Sequence, residues 1–68
     1  MTIIYSQKAG RNHTRYLQVV IAEDTATVTN WSDVGASQGV GRGSTAMSLE
    51  AARTIVREHL GWGYRRMR

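Results

Sequence analysis

From Arg15 to Ala22 apolar and polar positions alternate. Leu17, Val19 and Ile21 fall on one side of an extended chain; Tyr16, Gln18, Val20 and Ala22 fall on the other. That pattern predicts a strand. Ala26 to Trp31 is rich in β-forming residues and is expected to return beside it, with Glu23-Asp24 as the tight turn between. Upstream, Thr2 to Tyr5 is β-branched and aromatic and reads as a strand or an extended arm. Gln7 to Thr14 is polar, with Gly10 and Asn12 as turn residues.

The segment Ser32 to Ser44 holds glycines at 35, 39, 41 and 43, a density that interrupts regular structure and permits close backbone approach. A phosphate-binding loop is one reading of GVGRGS. However, the Lys-Ser/Thr pair of a nucleotide loop does not follow, and no strand-then-helix unit frames it. A glycine-rich hairpin with a bulge is the favoured reading. The period then changes to that of a helix. Leu49, Ala52, Ile55, Val56 and Leu60 form an apolar stripe, with Glu50, Arg53, Thr54, Arg57 and Glu58 on the other side. Ser48 is a good N-cap, Glu50 places an anion in the first turn, and Gly61 supplies a left-handed stop. The expected helix runs from 49 to about 60. These elements predict an α+β fold: a small antiparallel sheet of three to four strands covered by one helix, its opposite face partly exposed and available to a partner.

The 68 residues allow one domain, 1–68, which buries only roughly 60% of its unfolded surface. Without cysteine there is no disulfide or thiolate metal site, and a reducing compartment fits. The longest apolar run, Leu17 to Ala22, is interrupted by Gln18 and falls far short of the roughly 20 residues of a membrane span. MTIIYSQKAG does not read as a signal peptide, so a cytoplasmic protein with no membrane partner is expected.

Charge carries the first functional hint. Nine basic residues against five acidic ones give a net charge of +4, and every basic residue except Lys8 is arginine. The planar guanidinium fork suits phosphate recognition. Between 53 and 68 stand Arg53, Arg57, Arg65, Arg66 and Arg68 against the single acid Glu58. Trp31, Trp62, Tyr5, Tyr16 and Tyr64 interleave with these arginines, and aromatic faces can stack on bases. With no Phe in the chain, Tyr16 and at least one Trp are also expected to serve structure. Catalysis finds no support. His13 lies in a polar turn, His59 lies near the helix end, and the acids are scattered without a nucleophile or metal-ligand motif. A non-enzyme without cofactor or metal is expected.

Four stretches, in order, resemble the WGR domain, named for a Trp-Gly-Arg signature on a strand of a small sheet. RNHTRYLQVVI resembles its opening arm and first long strand, TVTNWSDVGASQG its signature strand, SLEAARTIVREHL its helix, and GWGYRR its close. The signature here reads Trp31-Ser32-Asp33, so both the Gly and the Arg are replaced. The family occurs in poly(ADP-ribose) polymerases, where the domain binds DNA and relays that event to a catalytic domain, and in small bacterial proteins. The resemblance implies that Trp31 and nearby basic residues touch nucleic acid, with DNA favoured over RNA.

The residues expected to bind are Trp31 as the aromatic contact and Arg11, Arg42, Arg53, Arg57, Arg65 and Arg66 toward phosphates. Asp33 shares a strand side with Trp31 and would oppose a phosphate there or pair with a cation such as Arg42. A rival reading is a protein-binding inhibitor or adaptor, of phage or mobile-element type, that blocks a host nucleic-acid-handling complex. A third is a homo-oligomer that buries the open sheet face.

Overall fold

The computed structural model describes the backbone of residues 1–34 and 40–67 and the side chains of 1–32 and 43–67. Five strands and one helix follow in order: β1 (Thr2–Gly10), β2 (His13–Ala22), β3 (Thr25–Val34), β4 (Val40–Ser48), α1 (Leu49–Gly61) and β5 (Arg65–Arg66). One antiparallel sheet holds them in the spatial order β4-β3-β2-β1-β5. The architecture is α+β, as the alternation of period implies. The strands run longer than their apolar patterns suggest. Pairing persists through polar residues to Lys8↔Thr14 and Gly10↔His13, so the first turn contracts to Arg11-Asn12. The glycine-rich segment delivers strand β4, with a register shift between Asn30 and Ser32 where a bulge was expected. Gly35 and Gly39 lie outside the described residues.

Register assigns each residue to a face. Ile3, Val19 and Val28 lie abreast, as do Tyr5 and Leu17, and Ile21 and Ala26. This row faces α1. Its core comprises Leu17, Val19, Ala26, Val28, Ala52 and Tyr64, with Tyr5, Ile21, Met47, Ile55 and Val56 packed around it. Two of those six are alanines, which let helix and sheet approach closely.

The topology also sets the helix direction. α1 leaves β4 at one edge of the sheet, and the chain re-enters as β5 at the other, so the helix must cross the whole face. Four strand spacings amount to about 19 Å. Thirteen helical residues rise about 20 Å. The helix begins beside the Ala22–Thr25 end of the sheet, where Ser48 pairs with Thr25, and finishes near Gln7, whose side-chain amide donates to the Trp62 carbonyl. A diagonal crossing of this kind leaves two corners of the sheet uncovered.

Ser48 caps the helix as expected: its Oγ accepts the Ala51 N–H at 3.1 Å. The other end differs from expectation. Gly61 is still helical, and the left-handed residue is Gly63, at φ 104°. Trp62 N–H donates to the carbonyls of Glu58 and His59, and Tyr64 N–H donates to His59, so the helix runs one residue past its expected end and the left-handed stop falls two residues past Gly61. A Cβ on Gly63 would stand 2.9 Å from Gln7 Nε2, which adds close approach to the need for positive φ. The apolar stripe is also only half used. Ala52 is buried and Ile55 and Val56 are half-buried, whereas Leu49 and Leu60, near the two helix ends, are 37% and 43% exposed.

Candidate nucleic-acid interface

The sheet face turned away from α1 carries the candidate site. Alternation along β2 and β3 places Tyr16, Gln18, Thr29 and Trp31 there, the complement of the Leu17 row. Tyr16 and Trp31 are register partners, and their rings stack with centroids 5.0 Å apart and planes 16° apart. Beside the indole, a shallow recess of about 280 Å³ is lined by Ile4, Gln18, Thr29, Trp31 and Ser44. Its floor is hydrogen-bonded, since Thr29 Oγ1 and Ser44 Oγ lie 2.9 Å apart across β3 and β4. Thr29 is nevertheless 93% covered, a buried hydroxyl whose partner removes the cost of burial.

Cations flank this platform. Arg65 pairs in register with Ser6, which pairs with Tyr16, so Arg65, Ser6, Tyr16 and Trp31 form one row across four strands. Arg65 Nη1 donates to the Tyr64 carbonyl at 3.1 Å, which holds the guanidinium near its own backbone. Lys8, exposed, pairs with Thr14 one row further on, and Arg11 stands in the turn at that end.

The seven residues expected to form one site therefore divide. Trp31, Arg65 and Arg11 belong to the uncovered face or its end. Arg53 and Arg57 are exposed on α1, and Arg66 pairs with Tyr5 on the helix side. Adjacent arginines in β5 point to opposite sides of the sheet because the side-chain period is two. Asp33 and Arg42 stand in β3 and β4, but their side chains, and hence their expected pairing, lie outside the described residues. The arrangement adds Tyr16, Gln18, Thr29 and Ser44, which were not on the expected list. For Tyr16, Gln18 and Thr29 the signal was present in the alternation of β2 and β3, whereas Ser44 joins the face through its register with Thr29. Tyr16 is structural in one sense, because it braces Trp31, but the aromatic of the core is Tyr64.

His59 is engaged by structure. Its Nδ1–H donates to the Ile55 carbonyl at 2.7 Å, and its ring packs against Trp62 and Tyr64, each with centroids 4.8 Å away. Among the described residues no group of three or more His, Cys, Asp or Glu could hold a metal ion, and no helix is long and apolar enough to cross a membrane.

Comparison of the chain with protein-family models, with curated proteins and with solved structures finds no match.

Proposed function

We propose that this chain is a non-catalytic module that binds nucleic acid on its uncovered sheet face. The observation that carries the reading is the stacked Tyr16–Trp31 pair, set on a face with hydroxyl and amide side chains and flanked by Lys8 and Arg65. A base laid against the indole gains stacking energy whatever its identity, while the cations meet the backbone. Gln18 and Ser44 offer donors and acceptors at the recess, where a base edge would lie. A platform of this kind needs a base withdrawn from its duplex, so single-stranded stretches or strand ends are the ligands it suits. The likeness to the WGR domain supports the same ring, with Trp31 as the contact.

The test is anisotropy titration of a labelled twelve-nucleotide oligothymidine and of a blunt duplex of equal length. The single strand should bind more tightly, with an affinity that falls as salt rises at about −0.7 per phosphate neutralised. Trp31→Ala should cost about 1–3 kcal/mol of binding. Joint replacement of Lys8 and Arg65 by Gln should flatten the salt slope. Equal affinity of wild type and Trp31→Ala for the single strand would remove the sheet face from the reading.

A further inference from the structure

The diagonal path of α1 leaves two corners of the helix-side face uncovered. Toward one of them the described residues Asn30 and Arg15 are exposed and polar. The opposite corner, over β1 and β2, is a groove of about 210 Å³ lined by Ile3, Tyr5, Val19, Ile21 and by Leu49, Ala52, Arg53 and Val56 of the helix. Its lining is apolar except for Arg53 and the Tyr5 hydroxyl. Leu49 stands 37% exposed at its mouth. The helix wall is cationic. Arg53 forms part of the helix wall, and Arg57 follows one turn later in an adjoining recess with Leu49, Glu50, Arg53 and Thr54. Arg66, the register partner of Tyr5, lines a neighbouring recess at the sheet edge with Thr2, Ile3 and Met67. Among the described residues Arg53, Arg57 and Arg66 make no ion pair, although Glu50 lies one turn before Arg53 and Glu58 follows Arg57.

We propose that this groove is a protein-docking site whose occupant is a short amphipathic acidic segment, with large apolar side chains entering the groove and carboxylates meeting the arginine rim. Charge complementarity selects that chemistry. A basic partner would face repulsion from Arg53 and Arg57, and a purely anionic one would leave the apolar lining in water. The spacing also fits. Residues four apart on a helix have Cβ atoms about 5–6 Å apart. Carboxylates two apart on an extended chain repeat at about 6.8 Å. An alternating apolar-acidic strand thus presents one carboxylate to each of Arg53 and Arg57 on its outer side while its intervening apolar side chains turn inward to the groove. The site is separate from the Tyr16–Trp31 platform, being on the other side of the sheet, and does not depend on the nucleic-acid reading.

The experiment follows backbone amide shifts of the isotopically labelled full chain during titration with three octapeptides: alternating Leu and Asp, alternating Leu and Asn, and alternating Ser and Asp. The Leu/Asp peptide should saturate shifts at Ile3, Tyr5, Ile21, Leu49, Arg53 and Val56 and leave Gln18, Thr29 and Trp31 in place. Each of the other two should bind at least about tenfold more weakly, since each removes one of the two complementary contacts. Arg53→Gln with Arg57→Gln, on the exposed helix face, should reduce Leu/Asp binding to the level of the Leu/Asn peptide. Leu49→Ser should weaken both Leu-containing peptides alike. Equal binding of the Leu/Asn peptide would overturn the choice of an acidic partner. Equal shifts from the Ser/Asp peptide or from oligothymidine would make the groove an anion site. Movement of the same amides on simple dilution of the protein would make it a contact between two copies. No shift at millimolar Leu/Asp peptide would end the proposal.

Discussion

The two faces of this sheet are built from the same strands and differ in almost everything else. Leu17 is fully buried beneath α1, while Gln18, the next residue, lines an open recess beside Trp31. On the covered side, packing decides: small residues admit the helix, and the core beneath it is removed from water. On the uncovered side the sheet is held by its ladder and by lateral contacts, such as the Tyr16–Trp31 stack and the Thr29–Ser44 bond. The lesson is that one strand pair can serve stability with one parity of residue and recognition with the other, so the two can be altered independently.

The sharpest way to break this comparison is to truncate neighbours. Leu17→Ala should cost about 2–5 kcal/mol, much of what so small a domain has, whereas Gln18→Ala should fall within about 0.5 kcal/mol of wild type. Urea melts of the pair measure both, and similar losses would mean that the faces are not separate in energy. A milder change acts on the cover. Ser48→Ala removes the acceptor of the Ala51 N–H and should cost about 1 kcal/mol, with oligothymidine affinity unchanged under conditions where the variant remains folded. The smallest effect lies at the β2–β3 turn, which belongs to neither face. Glu23 there holds φ 58°, a region that asparagine tolerates better, so Glu23→Asn should raise stability by about a few tenths of a kcal/mol in the same melts.

Much of the covered face was legible in the chain. Leu17, Val19 and Ile21 share parity, and Ser48 precedes an amphipathic stripe, so strand, helix start and their mutual packing follow from local pattern. The helix stop was less so: Gly61 and Gly63 flank Trp62 and read alike in the chain, but Gly63 takes the left-handed turn, close against Gln7 of β1. Strand β5 was illegible. Arg65 and Arg66 have no alternation to read, and their pairing with Ser6 and Tyr5 depends on residues some sixty positions away. For that reason the arginines, expected on one face, divide between two. Charge has no period, and the side a cation occupies is set by the register of the strand that carries it.

The strand order β4-β3-β2-β1-β5 also implies a sequence of assembly. The hairpins β1–β2 and β2–β3 close loops of two residues and can form early, because short loops cost little chain entropy. β5 has to wait until the helix has crossed the sheet, since only then does the chain reach the edge of β1. Its hold is small, two paired residues and the Met67 N–H donating to Ile4 at 2.7 Å. The last piece to arrive should be the first to leave, and the amide of Met67 should exchange its hydrogen well ahead of that of Val19. Arg65 and Arg66 ride on that strand, so the two faces of the folded sheet receive their final cations together, in the closing step of folding.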